Sequence, residues 1–415
     1  GCIPTKTMMY SAKMLDGALR GSPYGVSAAG ALDHASVMKR KAKVVKTLVA
    51  GIAAKMKHGA VSVVSGHAVV RGRTDSGFLV SCGEDYEAPY LLIAAGSEPV
   101  VPPIEGMAES LASKFAVTSV GALELNEIPK ELVIIGGGAI GLELACYYNI
   151  AGSHVTVVEM LERVGGRIDA EISDVLCGSL QKRGLEFRLG QKITCLDPGK
   201  CVKIGADEIK ADKVILSVGR KPAVSGFGLE STGVYTDRGA IVTDERLRTS
   251  VPKIYAAGDV NGKVMLAHTA HREAEVAVND MLGRRDVMSY DSIPSVIYTI
   301  PEVACVGETE ESAAEKGLGI RTVRLSMRYA GRYVAENEGG DGICKAVFGP
   351  DNRLLGVHMI GGSASEIILS AHMMIESRLP AENLKKIIFP HPTTGEILRE
   401  ALFNLTGGER ECPRA

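Results

Sequence analysis

Leu132-Val133-Ile134-Ile135-Gly136-Gly137-Gly138-Ala139-Ile140-Gly141-Leu142-Glu143-Leu144-Ala145 decides the fold class. Four consecutive apolar residues fit a strand buried on both faces. Leu142 to Ala145 are strong helix formers. Between them Gly136, Gly138 and Gly141 satisfy G-x-G-x-x-G. The first glycine permits a tight turn, the second lets backbone approach a pyrophosphate, and the third lets helix and strand pack closely. The N-terminus of the helix then faces the anion. A lone hexapeptide of this kind is a weak signal, but here its context is complete. A second apolar strand reads at His154–Val158, closed by Glu159. That carboxylate lies roughly 20 residues beyond the glycines, where it reaches a ribose 2′-hydroxyl. It repels a 2′-phosphate, so the turn is read for NAD rather than NADP.

Outward from this unit the same texture recurs. Apolar runs ending in glycine with a small or acidic residue appear at 91–97, 214–219 and 254–259. Parallel nucleotide-binding sheets look like this, because strand C-termini and the following turns form the ligand crevice. Before the first echo, an amphipathic helix is predicted over Val37–Met56, with Val44, Val45, Leu48, Ile52 and Met56 at helical spacing. Its basic residues Lys39, Arg40, Lys41, Lys43 and Lys46 are read as a solvated face. Strands are predicted around Val61–Val64, Ala68–Val70 and Phe78–Ser81. Pro99, Pro102 and Pro103 punctuate a linker. From about Tyr290 the texture turns to short β-rich stretches with two late helices, around Ser365–Ser377 and Glu396–Leu405.

A chain of 415 residues is too long for one ordinary core. Hydrophobic residues at 46% and charged residues at 23% are the balance of a globular protein. A net charge of −2 gives no field for nucleic acid or an anionic membrane. Aromatic residues at 5%, with no tryptophan, argue against base-stacking platforms. No apolar run is long enough to span a bilayer. The nine cysteines, at 2, 82, 146, 177, 195, 201, 305, 344 and 412, include no C-x-x-C pair and no zinc spacing. No metal is expected, and a reducing compartment is.

Two segments at opposite ends carry chemistry-bearing residues. Gly1-Cys2-Ile3-Pro4-Thr5-Lys6 puts a cysteine just before a helix start, with a lysine four residues on. Positive charge and a helix dipole both favour a thiolate. A structural cysteine is the other reading. Near the C-terminus, His391-Pro392-Thr393-Thr394-Gly395-Glu396 sets a histidine in a proline-flanked turn and a glutamate at a helix start. A carboxylate on one imidazole nitrogen fixes the tautomer and leaves the other as a general base. Thr393-x-x-Glu396 reads equally as a capping box.

Together these motifs resemble, in order and over essentially the whole chain, the flavin-dependent pyridine nucleotide–disulfide oxidoreductases. The resemblance is strongest to the branch that oxidises dihydrolipoamide with NAD. Gly1–Lys6 is similar to the distal half of the family's C-x4-C redox motif, and Leu92–Ser97 to its second flavin strand. Gly136–Glu143 with Glu159 is similar to its NAD site, and Val218-Gly219-Arg220 to the turn closing that domain. Ala257-Gly258-Asp259 and Met265–His268 resemble its flavin contacts. Ser295–Ala304 resembles the start of its dimerisation domain, and His391–Glu396 its catalytic tail.

The resemblance implies an α/β fold with two nucleotide-binding Rossmann-like domains, the FAD one truncated, plus an α+β C-terminal dimerisation domain. FAD binding is expected in 1–125, continued in 251–288, NAD binding in 126–250, and the interface in 289–415. It implies FAD and NAD as cofactors, a homodimer, and a lipoyl-bearing protein domain as substrate, in the cytoplasm or the mitochondrial matrix.

By position, Cys2 would be the thiol beside the flavin. Lys6 would lie near the flavin and pair with Glu143. Asp259 would hold the ribityl chain. Ala68, Gly96, Met265, Leu266, Ala267 and His268 would contact FAD, and Ile193 and Gly219 would flank NAD. His391, oriented by Glu396, would deprotonate the dithiol and complete the site of a second copy. The family's first redox cysteine and its FAD pyrophosphate glycines would precede residue 1, so an incomplete chain is expected, and its own activity is in question.

Overall fold

The computed structural model describes residues 1–405. By packing the chain divides into two compact units, one of residues 1–45, 101–218 and 291–405 and the other of 46–100 and 219–290.

In the first unit, the run Leu132–Ile135 becomes the central strand of a five-stranded sheet. The order is Ala116–Thr118, Lys213–Leu216, Glu131–Ile135, His154–Val158 and Glu186–Arg188. Every pairing is parallel. Leu132, Val133 and Ile134 are almost fully buried. At about 1.5–3 kcal/mol per buried aliphatic side chain, such a strand has no alternative in solvent. The helix Ala139–Ile150 follows the turn and is buried continuously from Gly141 to Tyr148. The helix Cys2–Leu19 shares its core, through Met8, Met9 and Ala12. A three-stranded antiparallel sheet (Cys195–Asp197, Cys201–Ile204, Asp207–Lys210) adjoins it. A second five-stranded sheet is antiparallel throughout, in the order Ser295–Ile297, Glu302–Gly307, Leu354–Gly361, Ile343–Phe348, Arg321–Ser326. The helices Ala364–Ser377 and Glu396–Asn404 pack into its core.

The second unit holds a parallel pair, Leu91–Ile93 with Ile254–Ala256. It also holds an antiparallel triple (Val69–Arg73, Phe78–Cys82, Glu84–Ala88) and the antiparallel pair Ser97–Pro99 with Arg220–Pro222. The helix Ala267–Met281 presents Thr269, Glu273, Val276 and Ala277 to its interior.

Local expectations differ from the structure in two places. Val61–Val64 forms no strand, and Val61, Val63 and Val64 are exposed. β-branched residues realise their preference only where a neighbouring strand supplies partners. The helix predicted from Val37 runs His34–His58, but Leu48, Ile52 and Met56 on its apolar stripe are exposed. Periodicity fixes which residues share a face, not what covers it. On the same helix Lys41 is buried, against the reading of a wholly solvated basic face. It is held by the Leu123 carbonyl and, at 2.8 Å, by Glu124. Among the described residues no helix is long and apolar enough to cross a membrane.

Candidate active site

The nucleotide turn is built from main chain. Gly136 has φ +104°, and a Cβ there would stand 2.3 Å from the Ser217 carbonyl oxygen. At Gly141 a Cβ would stand 2.2 Å from the Gly136 oxygen, so the helix cannot approach the strand with any larger residue. Gly138 differs. Its backbone is ordinary (φ −75°, ψ 178°), and a Cβ there would meet nothing within 4 Å. It borders open space at the start of the helix Ala139–Ile150, which has no side-chain cap. Uncapped N–H groups, a dipole and vacant volume are what a pyrophosphate requires.

Glu159, at the end of the neighbouring strand, accepts the Gly137 N–H at 2.6 Å and the Leu161 N–H at 2.9 Å. Its carboxylate is thereby fixed beside the turn. Ile193 is buried in the adjoining core. These residues fit a dinucleotide with a free ribose 2′-hydroxyl.

Cys2 is the first residue of its helix and is exposed, with a free thiol. Among the described residues no cysteine is paired, and Cys412 lies outside them. Lys6, one turn further along, meets Glu143 at 2.6 Å, although 137 positions separate them. Glu143 is buried on the nucleotide helix and also accepts the Tyr298 N–H, at 3.0 Å. A buried carboxylate is tolerated when both oxygens are engaged. The Lys6 ammonium lies 4.3 Å from the centre of the Tyr298 ring.

In the second unit the acid is part of the turn. Gly258 has φ +79°. Its N–H donates to Glu273 at 2.5 Å, and Tyr290 donates its hydroxyl to the same buried carboxylate at 2.7 Å. Burial, reinforced by that carboxylate, pushes the Tyr290 hydroxyl well above its usual range. Asp259 accepts from the Ser97 hydroxyl, and Arg220 bonds Ser97 through both its hydroxyl and its carbonyl oxygen. Gly96 turns at φ +76°, and its carbonyl accepts the Ala223 N–H. The Gly219 carbonyl accepts from Val100.

Met265 and Leu266 precede the helix that Ala267 and His268 begin, and this helix too has no side-chain cap. Ala68 is exposed just before Val69–Arg73. The buried Asn261 Nδ2 and Thr269 Oγ1, flanking Asp259 and His268 in sequence, have no hydrogen-bond partner among the described residues. Orphaned buried donors beside an acid-bearing turn fit the polar chain and phosphates of a flavin dinucleotide.

His391 is exposed, and its Nδ1 lies 3.0 and 3.2 Å from the two oxygens of Glu396. An ionised carboxylate only accepts, so Nδ1 carries the proton and Nε2 keeps a lone pair. Glu396 also accepts the Thr393 N–H at 2.9 Å, while the Thr393 hydroxyl donates instead to the Pro390 carbonyl. The helix starts at Glu396 with Gly395 as its N-cap, so no capping box forms, and the carboxylate serves His391 and the Thr393 N–H together. The Thr393 N–H and then His391 hold Glu396 below the usual carboxylate range.

Sequence reasoning named Ser97, Arg220 and Tyr298 only within longer stretches, with no role of their own, and did not name Glu273. A signal existed for Glu273, an acid on the buried i, i+4, i+7, i+8 stripe of its helix with Thr269, Val276 and Ala277. Nothing local marks Tyr298, whose neighbours are brought together by tertiary folding.

Comparison with known proteins bears on these sites. The family model described as pyridine nucleotide-disulphide oxidoreductase matches residues 1–274, and that of its dimerisation domain matches residues 293–402. A dihydrolipoyl dehydrogenase of Chlorobaculum tepidum is 35% identical, over 97% of this chain and 88% of the relative. The mitochondrial dihydrolipoyl dehydrogenase of Pisum sativum is 35% identical, over 97% and 82%. Among solved structures, the HOCl-induced flavoprotein disulfide reductase RclA of Escherichia coli superposes with a TM-score of 0.86 at 26% identity, covering 98% of this chain and 90% of that one. LpdA of Mycobacterium tuberculosis gives 0.88 at 23% identity, covering 98% and 90%, a likeness of fold.

Proposed function

The chain belongs to the pyridine nucleotide-disulphide oxidoreductase family, and from that premise we propose that it oxidises dihydrolipoamide to lipoamide with reduction of NAD⁺ to NADH. The reaction releases one further proton. FAD and NAD are the family's cofactors, and they supply the electron transfer between thiols and nicotinamide. The chain's own residues do the rest. Gly136–Gly141 and Glu159 hold the dinucleotide. Asp259, steadied by Ser97, orients the polar chain of the flavin, with Ala68, Gly96 and Met265–His268 around it. Ile193 and Gly219 are read as flanking NAD. Cys2 is the thiol at the flavin, and Lys6, tied to Glu143, keeps a positive charge beside it. His391 takes the proton of the substrate thiol at Nε2. Residues 293–402 match the dimerisation domain, and we read His391–Glu396 as completing the site of a second copy. The lipoyl group would arrive on a protein domain. The compartment is read as cytoplasm or mitochondrial matrix.

One observation carries the chemical part of this reading: the 3.0 Å His391–Glu396 pair, which presents a base with a fixed tautomer. An NADPH-linked disulfide reductase, the nearest rival, would want a cation where Glu159 stands. In the flavin-loaded protein, His391→Gln is expected to lower dihydrolipoamide oxidation by about a hundredfold or more, the range for loss of a general base. Flavin absorbance should stay unchanged. Wild-type turnover in that variant would remove His391 from the mechanism.

A further inference from the structure

We propose that Tyr298 is a positioning residue, its ring fixing the Lys6 ammonium on the face of the helix that carries Cys2. The inference rests on the reading of Cys2 and Lys6 as the thiol and cation of the redox site, and adds what holds that cation in place. Cys2 and Lys6 are four residues apart on the helix Cys2–Leu19, so their side chains share a face. A lysine stem is flexible and its ammonium is a compact charge with rotatable donors. One ion pair leaves such a group free to swing. Here two restraints close on it. Glu143 holds Nζ at 2.6 Å, and the Tyr298 ring lies under it at 4.3 Å. Ring and carboxylate are themselves locked together, because the Tyr298 N–H donates to the other Glu143 oxygen at 3.0 Å. The three groups form a closed clamp from three segments far apart in sequence. They join the first helix, the nucleotide helix and the strand end at Ile297.

The ring acts through its face rather than its hydroxyl. Burial first, then Glu143, Glu302, Glu366 and Cys2, raise the Tyr298 hydroxyl above its usual range, so the ring stays neutral. Glu302 and Glu366 come from the antiparallel sheet and the helix Ala364–Ser377. Attraction between a cation and a ring face falls to nothing when the ring is replaced by an aliphatic chain.

The test reads Cys2 itself. The flavin-loaded protein is reduced with NADH, and alkylation of Cys2 by iodoacetamide at neutral pH is followed by peptide mass spectrometry. Tyr298→Leu is expected to slow Cys2 alkylation roughly threefold, the scale of a partly exposed cation–π contact. Tyr298→Phe, which keeps the ring, should react like wild type. Lys6→Met should be at least as slow as Tyr298→Leu, and adding Tyr298→Leu to it should change nothing further. Tyr298→Met serves as a second aliphatic variant, with thermal unfolding as the check on folding. Three results overturn the proposal: a wild-type rate in Tyr298→Leu and Tyr298→Met, a Tyr298→Phe variant as slow as Tyr298→Leu, or an undiminished Tyr298→Leu effect in the Lys6→Met background. If Lys6→Met alone leaves the Cys2 rate unchanged, the underlying reading of Lys6 fails, and the clamp has nothing to position.

Discussion

Among the described residues the strand–glycine–acid turn occurs twice, and it is held in two different ways. At Gly136–Gly141 the strand belongs to a five-stranded parallel sheet. The acid, Glu159, follows the neighbouring strand and is fixed by main-chain N–H groups, that of Gly137 in the turn and that of Leu161 beyond it. At Gly258-Asp259 the strand has one parallel partner, Leu91–Ile93. The acid sits in the turn, and side chains hold it: Ser97 on Asp259, Arg220 on Ser97, Glu273 on Gly258. A turn supported by main chain is vulnerable to an added Cβ and indifferent to most side-chain losses. A turn supported by side chains is the reverse. The contrast can be broken, or sharpened, by substitution.

The largest effect is expected within the first turn. Gly136→Val adds atoms where a Cβ already collides with the Ser217 carbonyl, at a φ of +104° that a branched residue does not adopt. We expect NAD-linked turnover to fall below about 1% of wild type, with a lower unfolding temperature. Gly138→Ala, two residues on, has open space around its Cβ. It should unfold like wild type while binding NADH about tenfold more weakly, because the methyl occupies ligand volume. Equal damage to folding in both variants would dissolve the distinction between a structural and a ligand-facing glycine.

Next in size is Glu159→Arg. Exchanging the carboxylate for a cation should move the ratio of kcat/KM for NADH over NADPH towards NADPH by about two orders of magnitude. The range follows from losing one charged hydrogen bond and gaining another. Steady-state kinetics with both nucleotides check it, and an unchanged ratio would count against Glu159 as the ribose ligand.

The second turn should fail through a side chain. Glu273→Ala leaves the buried Gly258 N–H without an acceptor, at a cost of about 1–3 kcal/mol, and removes the partner of the half-buried Tyr290 hydroxyl. We expect loss of flavin on gel filtration and a lower unfolding temperature, while the NAD turn, in the other unit, stays intact. Glu273→Gln keeps one acceptor oxygen and should retain more flavin than Glu273→Ala.

The two turns also differ in how far they were legible. Around Gly136 the glycine pattern, the strand period and the position of Glu159 all lie in one short stretch, so sequence alone specified turn and ligand class. The His391–Glu396 pair was legible for the same reason, although its spacing fitted a capping box as well. The second turn was readable through Asp259, whereas its supports at 97, 220 and 273 are brought together by folding. Lys6 and Glu143 were joined by resemblance, not by any local rule. Val61–Val64 shows the opposite failure, a strand composition with no strand partner. Interactions that close within a few residues leave a period or a motif. Those that close over a hundred or more leave single residues that look like any other.

The smallest effect tests side-chain support away from both turns. Asp280, on the helix Ala267–Met281, accepts from Arg248 at 2.5 Å, from the Tyr255 hydroxyl at 2.8 Å and from Arg246 at 3.4 Å. The Arg248 hydrogen bond first, then Tyr255 and Arg246, lower its pKa from 3.8 to about 2. A carboxyl with a depressed folded value stabilises the protein above its unfolded value, and that contribution disappears as pH falls through the folded one. Arg248 is about half exposed, so solvent screens part of the interaction. We therefore expect Asp280→Asn to lower unfolding free energy by about 1–2 kcal/mol near neutrality. The gap between wild type and variant should narrow between pH 4 and pH 2, because the wild-type carboxylate protonates there and the amide has nothing to lose. Urea titrations of both proteins at pH 7, 4 and 2.5 measure the gap directly. A gap that is constant with pH would mean that Asp280 supports the strand Ile254–Ala256 through shape alone. A gap that closes as described would make charge, carried by side chains, the element that the second unit uses where the first uses a sheet.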